Sequence, residues 1–166
     1  SATDLMRALL HHPDFQALEA NWRGVRRLVD SLDLGNELTL SLLDLSKTEL
    51  LADLESCRGN SGESTVHRLL VEAGHGGADG QPWGLLVGLY CFGADADDIA
   101  LLAHLGVIAS HAGGPLLAEA DPSLVGCETL HERTEPRTWA FKDAESEARW
   151  NALRRSPAAP WLGLAM

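Results

Sequence analysis

Apolar residues of this chain follow helical spacing in some segments and strand spacing in others. From Phe15 onward they recur at steps of three and four, which places them on one face of a helix. Pro13 and Asp14 stand just before this stripe and suit a first helical turn. The pattern predicts a helix that begins near Pro13, with its apolar stripe turned toward a core. The stripe consists of Phe15, Leu18, Trp22, Val25, Leu28, Val29 and Leu32.

Strand spacing is found in four segments. In residues 37–46, leucines alternate with threonine and serine, as on a half-buried strand. Residues 83–92 form a nearly continuous apolar run, which is typical of a central strand buried on both faces. Residues 116–120 and 160–166 are shorter candidates. The sequence therefore predicts about four strands.

Helix signals separate these strands. Ser46 and Glu49 form a capping box, and Asp95 opens a helix that Gly113 ends. Residues 64–74 and 143–156 have further helical patterns. Because strands alternate with helices, we expect residues 1–166 to form a single α/β domain, layered, with a mainly parallel or mixed sheet flanked by helices.

Composition narrows the classes of function. The net charge of −11 argues against nucleic acid and anionic membranes as partners. No apolar stretch approaches the length of a membrane span, and the first residues lack a secretory signal, so we expect no membrane insertion. The three cysteines, Cys57, Cys91 and Cys127, lie far apart without a C-x-x-C pair, which favours a reducing compartment over disulfides or zinc.

The histidines are the first candidates for chemistry. His11 and His12 are neighbours, so on a helix they point about 100° apart and cannot bind one metal from the same face. His104 and His111 are separated by two helical turns, about 10 Å, which is too far for an ordinary pair of ligands. We interpret the first pair as a helix start and the second as residues of one helix face.

Other signals of catalysis are weak. The glycine-rich segment 74–80 lacks the ending of a phosphate-binding loop, and no serine stands in a G-x-S-x-G motif. Cys91 lies inside an apolar strand, where thiols are usually inert. We therefore predict no catalytic, cofactor-binding or metal-binding residues. A small hydrolase or metal-dependent enzyme that uses His67, His75 or His111 with nearby acids remains an alternative.

The five tryptophans point toward protein contacts. Trp22 and Trp150 lie on helix faces, so we expect them in the core. Trp83 and Trp161 precede strands and can lie at an edge, where tryptophan serves as an anchor for a partner. We predict these two as candidate partner contacts and as contributors to self-association.

Several segments, in order, resemble one protein family. The stretch "LLHHPDFQALEANWRGVRRLV" resembles the hallmark of the large subunit of the type VI secretion contractile sheath, called TssC, VipB, ImpC or EvpB. The segments "LTLSLLDLSKTELLADL", "QPWGLLVGLYCF" and "ARWNALRRSPAAPWLGLAM" are similar to later parts of that family. The chain departs from the pattern at Leu89, where aspartate is typical, and at residues 156–160.

The resemblance implies a structural role in the bacterial cytoplasm without catalysis or cofactors. It implies pairing with the small, TssB/VipA-like sheath subunit and polymerisation with other sheath subunits around an inner tube. The inner tube and the baseplate are further expected partners. Family chains are longer, so we expect either an excised domain or a shortened relative. A sheath-derived regulatory or assembly module, which binds sheath or baseplate components without polymerising, is the second alternative.

Overall fold

A computed structural model of the chain describes residues 2–35, 38–72, 82–132 and 135–166. The chain divides into two units, Ser1–Asp44 and Leu45–Met166. The first unit contains helices α1, Ala2–Leu10, and α2, Pro13–Ser31.

The start of α2 confirms the predicted helix. His12 is its N-cap and has an extended backbone, and its ring Nδ1 accepts a hydrogen bond from the Asp14 backbone N–H at 3.3 Å. Pro13 follows in the first helical turn, where its missing N–H is not needed. His11–His12–Pro13–Asp14 is therefore a helix start.

The apolar stripe of α2 is exposed. No residue of α1 or α2 is buried, and Trp22 has 60% of its surface exposed. The expectation that Trp22 belongs to the core was wrong, because the two helices of this unit do not enclose a side chain between them. Helical spacing shows which side chains share a face, and packing decides whether that face is covered.

Residues 38–46 are irregular, so the strand predicted at 37–46 is not formed in the described part of this segment. Leu38, Leu42 and Leu43 are largely exposed there. A strand needs a neighbour that takes its backbone N–H and C=O groups. No strand in the described ranges pairs with this segment, and alternation alone does not supply that partner.

The second unit combines helices with a small sheet. Its helices are α3, Lys47–Ser56; α4, Thr65–His67, which continues as a π turn over Arg68–Glu72; α5, Ala96–Ala112; and α6, Ala144–Arg154. Its strands are β1, Leu86–Phe92; β2, Leu116–Ala120; and β3, Leu162–Ala165. Short 3-10 turns lie at Ser61–Glu63, Pro122–Val125, Leu130–Glu132, Pro136–Thr138 and Ala159–Trp161.

The sheet is parallel, as expected for an α/β fold, and its order is β1-β2-β3. Leu116 of β2 lies opposite Leu86 on one side and Leu162 on the other. The described residues form three strands rather than about four, and the missing one is the irregular segment 38–46.

Helix α5 is the centre of the core. Asp95 Oδ1 accepts a hydrogen bond from the Asp98 N–H at 2.9 Å and caps its start, while Gly113 ends it with φ of 85°, a conformation that favours glycine. Most of its side chains are buried against one face of the sheet and against α3. The most deeply buried large side chains are Phe92, Leu101, Leu102 and Ile108.

Candidate functional site

The carboxyl ends of the strands are the usual location of a catalytic site in a parallel sheet. Here they bring Cys91 Sγ within 3.7 Å of Asp121 Oδ2. Burial, together with the charges of Glu119 and Asp121, raises the pKa of Cys91 to about 11. A thiol with so high a pKa is protonated at neutral pH, so Cys91 is a poor nucleophile.

A second polar cluster at the same end of β1 joins two helices. Lys47 Nζ lies 2.5 Å from Asp98 Oδ1 and donates a hydrogen bond to the Cys91 carbonyl oxygen at 2.8 Å. The other carboxylate oxygen of buried Asp98 accepts the Gly93 N–H at 2.6 Å. Every group in this cluster satisfies another, so the arrangement holds α3 and α5 against β1.

The histidines of α5 point to different neighbours. His111 Nδ1 lies 3.1 Å from Nε2 of His67, and the two rings meet edge to face. His104 is buried and its Nδ1 lies 3.3 Å from Ser61 Oγ. Sequence reasoning placed His104 and His111 on one face but missed the contact with His67, because only the fold brings α4 beside α5.

The surroundings of His104 disfavour its charged form. Burial lowers the pKa of His104 the most, the carboxylate of Asp53 opposes this effect, and His67 adds to the lowering. Asp53 itself accepts hydrogen bonds from Ser64 Oγ at 2.5 Å and from the Thr65 N–H at 2.8 Å. It therefore anchors the start of α4.

These groups do not form a metal centre. Within the described ranges, no three histidine, cysteine, aspartate or glutamate side chains are placed to hold one ion. His75 and most of the glycine-rich segment 74–80 lie outside the described residues.

Both predicted contact residues are half-buried. The indole N–H of Trp83 donates a hydrogen bond to the Leu70 carbonyl oxygen at 2.7 Å, and Trp161 packs against the main core. Trp150 also packs against the core, as expected. Trp22 and Trp139 are more exposed, which spacing along the sequence could not show.

The most extensive unpaired feature of the molecule is its exposed apolar surface. One such surface is the stripe of α2. A second is the sheet face opposite α5, where Val87, Leu89 and Leu117 are 53%, 45% and 43% exposed. A third is a groove of about 680 Å³ in the second unit, whose wall is mainly apolar. It is lined by Ala120, Leu124, Val125, Trp139, Ala140, Phe141, Glu147, Trp150, Leu164 and Met166.

An α/β protein with apolar surfaces of this extent has the properties of a protein that assembles with others. Comparison with known proteins gives the family. The family described as VipB: EvpB/VC_A0108, tail sheath N-terminal domain, matches residues 2–166, and the chain belongs to it. The resemblance noted in the sequence is thereby confirmed.

A curated relative supports the same assignment. The chain is 33% identical over 167 residues to the type VI secretion system sheath protein TssC1 of Pseudomonas aeruginosa. The alignment covers 99% of this chain and 33% of that protein, so the chain spans about a third of the length of this relative.

The described helices also bear on membranes. None of them is both long enough and apolar enough to cross a bilayer.

Proposed function

We propose that this chain is a structural component of a type VI secretion contractile sheath in the bacterial cytoplasm. In this role it acts through binding to other proteins rather than through catalysis. The observation that carries the proposal is the fully exposed apolar stripe of α2 in a chain that matches the tail sheath family from residue 2 to residue 166. An amphipathic helix without a buried residue gains most of its stability once a partner covers it.

The proposed partners are the small sheath subunit, with which the chain pairs, and further sheath subunits, with which it polymerises around the inner tube. The inner tube and the baseplate are the remaining candidates. Trp83 and Trp161 are the proposed contacts with the small subunit. Each keeps part of its ring exposed beside a strand, and tryptophan at such a position contributes strongly to binding.

The first experiment is co-expression of the chain with the small sheath subunit, followed by light scattering on a sizing column. A stable complex that contains both proteins supports the proposal. Two separate peaks contradict pairing through this chain. A complex of defined mass that does not lengthen would support an assembly module rather than a polymerising subunit.

Variants test the two tryptophans. We expect Trp83→Leu and Trp161→Leu to weaken the complex by about 10-fold or more, because leucine does not replace the flat indole. Trp139→Leu is the matched control, since Trp139 is a more exposed tryptophan outside the proposed contact. Melting temperatures of all three variants separate lost binding from lost folding. Equal binding by all three would exclude Trp83 and Trp161 as contacts.

A further inference from the structure

The sheet of the second unit is covered on one face only. Its inner face packs against α5 through Leu86, Phe92 and Leu116, while Val87, Leu89 and Leu117 face outward and are 43–53% exposed. Parallel sheets are normally covered by helices on both faces. The outer face of this sheet therefore has the chemistry of a surface that a helix covers.

The outer face is also smooth enough for a helix. Leu117 lies across β3 at Gly163, where an added Cβ would collide with the Cδ2 atom of Leu117. Gly163 thus lets Leu117 lie flat over the neighbouring strand. The result is an even apolar surface that extends over all three strands.

Helix α2 has the complementary surface. Its 19 residues span about 28 Å, longer than the width of a three-stranded sheet. None of its residues is buried, and Leu18 and Trp22, one turn apart on the stripe, are 55% and 60% exposed.

Charges favour the same match. Glu119 projects from the outer face of β2, because exposed and buried residues alternate along that strand. The second half of α2 carries Arg23, Arg26 and Arg27 beside its apolar stripe. An acidic residue on the sheet and basic residues on the helix orient the helix and raise the rate of association.

We propose that α2 of one copy packs across the outer sheet face of a second copy of this chain. The two surfaces differ, so the contact is heterologous, and each copy keeps one unused surface of each kind at the ends of an assembly. Contacts of this type build open helical filaments or closed rings. The inference rests on the proposed sheath function, to which it adds a specific contact between copies.

Two complementary variants test the contact by sedimentation velocity over a wide range of concentrations. The helix variant is Leu18→Glu with Trp22→Glu, and the sheet variant is Val87→Glu with Leu117→Glu. All four positions are exposed, so the core is unchanged, and melting temperatures check the fold. We expect wild-type chain to self-associate and each variant alone to associate at least about 100-fold more weakly.

An equimolar mixture of the two variants is the decisive sample. The sheet variant retains an intact α2 and the helix variant an intact sheet face, so the mixture is expected to form a one-to-one dimer and nothing larger. Leu69→Glu with Trp139→Glu is the matched control, because it adds the same charge at exposed apolar residues outside both surfaces. This control is expected to self-associate like the wild type.

Other outcomes overturn the proposal. Self-association of the sheet variant alone would indicate a contact between two α2 helices, and that of the helix variant alone a contact between two sheets. A mixture that stays monomeric excludes the proposed contact. If the wild type still binds the small sheath subunit in that case, the proposed function survives. If a one-to-one mixture forms but the small subunit does not bind, the contact is right and the sheath assignment is wrong.

Discussion

The ammonium group of Lys47, the first residue of α3, lies 2.5 Å from Oδ1 of Asp98 in the first turn of α5. Asp98 is buried, and Lys47 also lies 4.8 Å from the centre of the Phe92 ring. Two residues 51 positions apart thus join two helices at the end of the first strand. A buried carboxylate in such a place is stable only while its partners remain.

Removal of this carboxylate is expected to destabilise the fold. Asp98→Ala leaves Lys47 without its counter-charge and the Gly93 N–H without its acceptor, so the free energy of unfolding should fall by about 3 kcal/mol. Urea denaturation measures this change. Glu19→Ala is the control, because its pair with Arg23 is exposed and should contribute at most about 0.5 kcal/mol. Equal effects of the two substitutions would contradict the structural role of Asp98.

Stability should fall as the pH is lowered below the ordinary His104 value of 6.5. Burial lowers the pKa of His104 in the folded chain, so between the two values the unfolded chain binds a proton that the folded chain does not. Acid therefore favours unfolding in this window. Urea denaturation at a series of pH values measures the slope.

His104→Asn is expected to flatten that slope, because the amide keeps a polar group near Ser61 Oγ but does not titrate. His11→Asn is the control, since His11 is exposed in the first unit. The control should keep the wild-type dependence on pH. A slope unchanged by His104→Asn would show that other groups cause the sensitivity to acid.

Glycine at two helical positions should respond in opposite ways to alanine. At Gly106 of α5, an added Cβ would lie 2.8 Å from the Ala158 Cβ and 3.0 Å from the Ala158 carbonyl oxygen. Gly106→Ala should therefore destabilise the fold by about 1–3 kcal/mol. Thermal unfolding followed by circular dichroism measures the change.

Gly24 of α2 is the matched position, because no atom lies within 4 Å of an added Cβ there. Gly24→Ala should stabilise α2 by up to about 1 kcal/mol through helix propensity alone. A destabilised Gly24→Ala variant would mean that another group approaches this face of α2.

Cys91 should react slowly with alkylating reagents. With a pKa of about 11, only about one thiol in a thousand is ionised at pH 8, and labelling by iodoacetamide should be about 100-fold slower than in the urea-unfolded chain. Peptide mass spectrometry over a time course gives the rate. Glu119→Gln should speed the reaction, because it removes a negative charge that raises this pKa. Labelling of folded and unfolded chains at one rate would contradict the buried environment of Cys91.

The sequence by itself determined the features that depend on neighbouring residues. The capping box of Ser46 and Glu49 and the helix start at His12 and Pro13 form as predicted, and so do the ends of α5. Each relies on hydrogen bonds that span two to four residues, so a short stretch contains all the partners. The order of such segments also carried the resemblance to the sheath family, which the comparison confirms.

Only the tertiary structure decided which surfaces are covered. The same leucine alternation reads as a strand at 37–46, yet its described part has no neighbouring strand, and the apolar stripe that includes Trp22 has no second layer. The contacts of Lys47 with Asp98 and of His67 with His111 join residues more than forty positions apart. Periodicity records which side chains share a face, whereas burial depends on the position of every other element, and that information is distributed over the whole chain.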